Sequence, residues 1–300
     1  MIYDLRFTIW LKRAVLALVL ATFNLQLSTG LAATTINVVN KYAYGANIGW
    51  MDWRGDTTSG AVIGEYVCAG LIYSANVGWI NLGGGAPTNG IYYQNLSAGD
   101  FGVNQDGLGN LRGYAYGANI GWINFENTGA ARVDLKTGRL NGFAYSANCG
   151  WISLSNAFAF VQTDTIATGA DTDGDGIADA WEYQKFGNLT IANTSSNSDG
   201  DPATDLQEYL ADTNPTDATS YLRITAYNTA PNGSTNALTW TSALTRCYHI
   251  HESVSLIAPV WYDSGLGLIS PDGAFTTRNA TDTNAPIRFY RVQAVKPLSP

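Results

Sequence analysis

The chain is poor in the residues that build reactive centres. Its 300 residues include three cysteines, Cys68, Cys149 and Cys247, and two histidines, His249 and His251. Three cysteines leave one unpaired within a monomer, and their spacings carry neither a metal signature nor a disulfide framework. A Cys68–Cys149 bridge and buried free thiols are the alternatives. No histidine lies in residues 34–160, so no Ser–His or Cys–His machinery can be built from that region's own residues. In a strand, Cys247, His249 and His251 face one way, opposite Tyr248 and Ile250. A solvated outer strand face accounts for the two imidazoles more simply than a metal site.

Charge is scarce too, at 13% of residues, and no basic stripe points to nucleic acid. The acids are not spread evenly. Residues 164–217 hold 12 of the 24 and a single base, Lys185, which puts that segment at −11 and the rest of the chain at +3. Long apolar runs are nearly missing. The one candidate, Ala14–Phe23, follows Arg6, Lys12 and Arg13 and precedes the small residues Gly30 and Ala32–Ala33. It is short for a span, and the flanks suit a secretory signal over residues 1–33, cleaved near 32 or 33. Membrane contact is expected only through that signal, and a secreted or cell-surface location follows.

Glycine (32), tyrosine (17) and tryptophan (9) are plentiful, which favours a turn-rich, mainly β protein. Residues 34–160 contain four aligned segments: Tyr42–Trp53, Ile72–Leu82, Tyr114–Phe125 and Phe143–Leu154. Their shared core is Tyr-[Gly/Ser]-Ala-Asn-x-Gly-Trp, ending at Trp50, Trp79, Trp122 and Trp151. The first and third tryptophans, and the second and fourth, are 72 residues apart, a spacing that suggests two successive doublings. Asn and Gly read as the positive-φ residues of a tight connection between strands. In Gly121-Trp-Ile-Asn-Phe125, Ile123 and Phe125 share one face and Trp122 and Asn124 the other. Each unit reads as about three short strands. The first lacks its leading strand, as a cap or a closure that borrows one would. The expected architecture is a four-unit β-repeat domain, with a solenoid, a small propeller and a meander all open.

Residues 165–217 name a chemistry. Asp171, Asp173, Asp175, Asp179 and Glu182 take positions 1, 3, 5, 9 and 12 of a twelve-residue window, with Gly176 at position 6 and the Ile177 carbonyl at position 7. That is the oxygen-ligand spacing of an EF-hand calcium loop. A twin follows with Asn197, Asp199, Asp201, the Ala203 carbonyl, Asp205 and Glu208, although Pro202 replaces the glycine. Short helices are expected over Asp179–Phe186, stopped by Gly187, and over Asp205–Ala211. Trp181, Phe186, Leu206 and Tyr209 form the apolar patch between them. So small a core calls for Ca²⁺ as a staple.

Residues 220–300 show strands at Tyr221–Tyr227, Ala237–Thr241, Cys247–Glu252, Val260–Tyr262 and Arg288–Val295, the pattern of a small antiparallel β-sandwich. The segment from Asp171 through Asp205-Leu-Gln-Glu-Tyr-Leu210 to Thr213-Asn-Pro-Thr216 resembles the thrombospondin type 3 and EF-hand-like calcium segments of secreted bacterial proteins. Leu238-Thr-Trp-Thr-Ser242 and Arg288–Val295 resemble core strands of fibronectin type III-like modules. The Asn-x-Gly-Trp units resemble repeats of exported bacterial proteins. These resemblances imply a modular extracellular or surface protein and no reaction.

The carboxylates of the repeats, among them Asp52 and Glu126, converge on no pair of the kind a glycosidase needs. A non-enzymatic, calcium-stabilised structural or adhesive protein is therefore expected. The alternative is a carbohydrate-binding protein whose Trp50, Trp79, Trp122 and Trp151 stack on sugar rings. Partners would be an extracellular glycan or a surface protein. A large residue recurring in an internal repeat is more often core, so the side of the sheet these tryptophans occupy decides between the two.

Overall fold

The computed structural model describes residues 34–55, 58–229, 235–281 and 288–299, and the expected signal lies outside them. The described chain is mainly β with two short helices. Each repeat forms one hairpin: Ile36–Gly45 with Gly49–Asp52, Cys68–Ser74 with Gly78–Gly84, Leu111–Gly117 with Gly121–Asn124, and Phe143–Ser146 with Gly150–Ser153. Neighbouring hairpins pair antiparallel, and the last strand returns to the first through Tyr44↔Ser153 and Gly45↔Ile152. The result is a closed eight-stranded antiparallel barrel, which corrects the expectation of a solenoid or a propeller. The physical reason lies in the edges. Each hairpin buries one face but leaves two unpaired edges, and closing four in a ring pairs all of them.

The turns at one end of the barrel explain the repeat motif. Ile48 N–H donates to the Gly45 carbonyl at 3.1 Å, and Ile120 N–H does the same to Gly117. Each connection ends in a left-handed glycine: Gly49, Gly78, Gly121 and Gly150 have φ between 70° and 78°. The asparagines are not at positive φ, contrary to the expectation, because their side chains have another task. Asn76 Nδ2 donates to the Ile48 carbonyl, Asn119 to Val77, Asn148 to Ile120, and Asn47 to Cys149, all at 3.0–3.1 Å. Each hairpin is thus tied to the one before it, and the fourth tie closes the ring. A Cβ on Gly49 would stand 3.0 Å from Asn76 Nδ2, so glycine also clears the path of that bond.

The barrel core is layered. Near the turns lie Ile48, Val77, Ile120 and Cys149; next come Met51, Ile80, Ile123 and Ile152; Trp53, Leu82, Phe125 and Leu154 fill the far end. The first layer is size-matched. Gly45 and Gly117 face the larger Ile48 and Ile120, and a Cβ there would come within 2.8 and 2.9 Å of the isoleucine. Ser74 and Ser146 occupy the same place above the smaller Val77 and Cys149. Cys149 is therefore a packing residue, and all three cysteines are buried free thiols. Strand alternation sends the residues between these layers outward. The repeat tryptophans are 45–48% exposed, so they are not the core residues that repetition alone favours.

Val161–Thr163, from beyond the fourth unit, pairs with the first strand and supplies its missing partner. Helices α1 (Asp179–Phe186) and α2 (Asp205–Ala211) follow at the expected bounds and share the patch of Trp181, Tyr209, Phe186 and Leu206. Gly187 caps α1 at φ 74°, and Thr204 with Gln207 forms a capping box on α2. The C-terminal region has two three-stranded sheets over one core containing Leu238, Trp240, Tyr248 and Ile250. One strand there, Phe275–Thr281, is absent from the sequence-based expectation.

All three regions meet at Glu65. Its carboxylate contacts Lys296 Nζ at 2.8 Å and Arg246 Nη2 at 3.3 Å, while Arg246 also donates to the Tyr209 and Leu210 carbonyls of α2 at 2.9 Å. The Lys296 ammonium lies 3.5 Å from the Tyr209 ring centroid.

Asn119→Ala should lower barrel stability by about 1 kcal/mol, the worth of one hydrogen bond. Urea unfolding measures this, and a midpoint equal to that of the unsubstituted protein would remove the asparagine ring from the account.

Candidate functional site

Two constellations stand out, one on the barrel wall and one in the twin acidic loops. On the wall, hairpin register sets each repeat tryptophan opposite a tyrosine: Tyr44↔Trp50, Tyr73↔Trp79, Tyr116↔Trp122 and Tyr145↔Trp151. The ring centroids are 4.8–5.0 Å apart with tilts of 57–60°. Phe101 adds a ring 5.2 Å from Trp122. The next register position brings a polar residue beside each tyrosine: Asp52 by Tyr73, Asn81 by Tyr116, Asn124 by Tyr145, and Ser153 by Tyr44. Aromatic pairs and short polar side chains therefore alternate around the barrel as a belt.

The belt has hydrogen-bonding capacity left over. Asn81 Oδ1 accepts from Gly83 N–H at 2.8 Å and Asn124 Oδ1 from Glu126 N–H at 2.6 Å. Their amide NH₂ groups have no protein partner among the described residues, nor do the four tyrosine hydroxyls. The carboxylates nearby are occupied: Asp52 holds Lys41 at 2.7 Å, and Glu126 accepts from Gly113 N–H at 2.7 Å. Half-exposed indoles thus stand beside free donors on a shallow, solvent-facing surface. The tyrosine partners were legible in the repeat itself, since Tyr precedes Trp by six residues in every copy.

The two loops are folded alike. Asp171 Oδ1 accepts from Gly174 N–H at 2.8 Å, and Asn197 Oδ1 accepts from Gly200 N–H at 2.7 Å. Asp175 Oδ1 accepts from Ile177 N–H and Asp201 Oδ1 from Ala203 N–H. Gly174 and Gly200, at position 4, share a φ of 77–79°, so the loops turn in the same way although Pro202 differs from Gly176. Carboxylate oxygens of Asp171, Asp173 and Asp175 lie within 4.8 Å of one another, as do those of Asp199, Asp201 and Glu208.

Asp179 and Asp205 do not join these clusters. Asp179 takes both the N–H and the hydroxyl of Thr172, at 2.7 and 2.5 Å, and Asp205 takes both from Ser198, at 2.9 and 2.8 Å. A hydroxyl residue at position 2 of each loop was the signal for this arrangement. Position 9 braces each loop, and position 12 joins the cluster in the second loop, through Glu208, but not in the first, where Glu182 stands apart from the three aspartates.

The fit to a cation rests on orphaned oxygens. Glu182 is fully buried, and neither of its carboxylate oxygens has a protein partner. Oδ2 of Asp175, Asp199 and Asp201 and Oε2 of Glu208 are likewise buried without one. Buried carboxylates left unpaired are costly, so the site calls for protons or a cation, and an all-oxygen donor set suits a hard divalent ion. Burial first, then the neighbouring aspartates, push the carboxyls of Glu182 and Glu208 up to about 7 in the metal-free chain.

His249 Nδ1 lies 3.2 Å from Asp263 Oδ2, and the His249 and His251 rings stack at 5.9 Å. No known family model matches the chain, and no curated protein or solved structure matches it.

A carboxyl raised in the folded state keeps its proton longer there than in the unfolded chain. Between the ordinary value of 4.5 and about 7, the folded metal-free protein binds more protons, and its stability falls as pH rises through that window. In chelator, thermal unfolding of the loop segment should therefore occur at lower temperature near pH 8 than near pH 5. Glu182→Gln with Glu208→Gln should flatten the trend, and a rise with pH would contradict it.

Proposed function

We propose that the protein is an exported, non-enzymatic adhesive of the cell surface or extracellular space. It engages glycan through the aromatic belt and is stiffened by Ca²⁺ in residues 165–217. The observation that supports the glycan reading is the placement of all four repeat tryptophans on solvent-facing Tyr–Trp platforms. A core role would have used these rings inside the barrel, where Ile, Met, Trp53 and Phe125 already fill the space. Apolar sugar faces stack on the indole, while the free phenol and amide groups of Tyr116, Asn81, Tyr145 and Asn124 take hydroxyls. Each platform is shallow, so affinity comes from several platforms meeting one polymer.

Affinity electrophoresis against a panel of polysaccharides tests this. At least one should retard the protein, and Trp79→Ala or Trp122→Ala should each weaken retardation about tenfold, the scale of one lost stacking contact. If a variant lacking all four tryptophans migrates as the unsubstituted protein does, the belt is structural only.

Ca²⁺ occupies two sites in this reading. Asp171, Asp173, Asp175, the Ile177 carbonyl and Glu182 form one, and Asn197, Asp199, Asp201, the Ala203 carbonyl and Glu208 the other. The ion neutralises the buried oxygens that have no protein partner. Because the unfolded chain lacks the sites, Ca²⁺ at about a hundred times Kd adds about 2.7 kcal/mol per site. Calorimetry should show two binding events, with Glu208→Gln removing one. Absence of binding heat at millimolar Ca²⁺ would end the proposal.

A further inference from the structure

Between strands Cys247–Ser253 and Tyr262–Asp263 the chain runs outward through Val254-Ser-Leu-Ile-Ala-Pro-Val-Trp261. Residues 254–262 contain no charged side chain. Exposure is 63% at Val254, 59% at Leu256, 90% at Ile257, 59% at Val260 and 63% at Tyr262. So dense a run of exposed aliphatic side chains marks an interaction site. Ile257, almost wholly in solvent, is the tip of a projection and not the wall of a groove.

The loop is built rather than slack. Ser255 N–H donates to Ser253 Oγ at 3.3 Å, and Ile257 N–H donates to Ser255 Oγ at 3.1 Å. The two hydroxyls in turn donate to the Ser255 and Ile257 carbonyls, at 2.9 and 3.1 Å. The N–H and C=O groups of Ser255 and Ile257 are thus satisfied by neighbouring hydroxyls, which holds the loop in one shape. At the base, the Arg291 guanidinium lies 4.8 Å from the Trp261 ring centroid. The carboxylates beside it are engaged: Glu252 pairs with Arg288 and Asp263 with His249. Arg291 has no carboxylate partner among the described residues.

We propose that residues 254–262 dip into the interfacial zone of a lipid bilayer. Leu256 and Ile257 enter the acyl region, Trp261 and Tyr262 sit at headgroup depth, and Arg291 faces anionic phosphate. This order, aliphatic tip, amphipathic aromatics, then cation, matches the order of chemistries met on entering a membrane. A second copy of the chain is a poorer occupant. The cleft of roughly 540 Å³ where the three regions meet is lined by Glu65, Asp106, Lys185 and Asp212. Those charges would lose water on receiving an aliphatic finger. The proposal does not depend on glycan binding, and it gives the C-terminal module a task of its own.

The test is co-sedimentation of the full chain with vesicles of phosphatidylcholine alone and of phosphatidylcholine with phosphatidylglycerol. The native cysteines are buried, so Ala258→Cys accepts an environment-sensitive dye selectively. The protein should sediment with vesicles, and the dye emission should shift to the blue. Leu256→Asp with Ile257→Asp should cut the bound fraction about tenfold or more without changing the melting temperature. Arg291→Gln should lose only the extra binding to anionic vesicles. Trp79→Ala should leave vesicle binding intact, which separates this result from the glycan reading. Three outcomes overturn the proposal: a protein that stays in the supernatant with both lipids, a double aspartate variant that sediments equally well, or self-association abolished by that variant while vesicles bind nothing.

Discussion

Each repeat asparagine reaches back to a carbonyl of the hairpin before it, and the fourth bond returns to the beginning. The rest of the barrel depends on this closure. With the register fixed, strand alternation has one solution: aliphatic residues fill the interior, and each Tyr–Trp pair is turned outward. The glycine after the asparagine serves the same end, adopting positive φ and leaving room for the neighbour's amide. The Ala-Asn-x-Gly part of the motif is thus the closure device, and the flanking Tyr and Trp are what it displays. A belt held on a closed barrel has little side-chain freedom left to lose, the preorganisation that the proposed glycan binding calls for.

A second constraint acts beyond the barrel. The loops bury carboxylate oxygens that no protein group satisfies, and Glu208, which carries one of them, directly precedes Tyr209 and Leu210, whose carbonyls receive Arg246. Glu65 of the barrel and Lys296 of the C-terminal region complete that junction. Charge placement in the middle segment therefore bears on how all three regions are held. Removing one partner of such a buried set costs several kcal/mol, typically about 3–5, because the other charges stay behind.

What the sequence disclosed was what local chemistry decides. The helices start and stop where caps lie within a few residues, at Gly187 and at Thr204 with Gln207. The twin loops were visible as oxygen-bearing side chains at repeated offsets, and the alternation of Ile123 and Phe125 against Trp122 was visible as period two. That alternation sets the tryptophans opposite the aliphatic residues, and it outweighs the tendency of a large recurrent residue to be core. Closure was not legible, because Asn47 finds its partner 102 residues away at Cys149. Phe275–Thr281 was not legible because its threonines, Arg278 and Asn279 have the composition of a loop. It is a strand because it pairs in unbroken register with Thr235–Thr241, down to a Thr239–Thr277 hydroxyl contact at 2.9 Å. The bracing role of Asp179 and Asp205 was hidden because ligand spacing alone does not show that Thr172 and Ser198 claim their oxygens.

The central claim is that the four repeat indoles form the outer wall of a closed barrel. Hydroxyl-radical footprinting with residue-level mass spectrometry tests it most directly. The account predicts rapid oxidation of Trp50, Trp79, Trp122 and Trp151, with Trp53, Trp181 and Trp240 protected. Protection of the four repeat tryptophans at the level of Trp53 would contradict it.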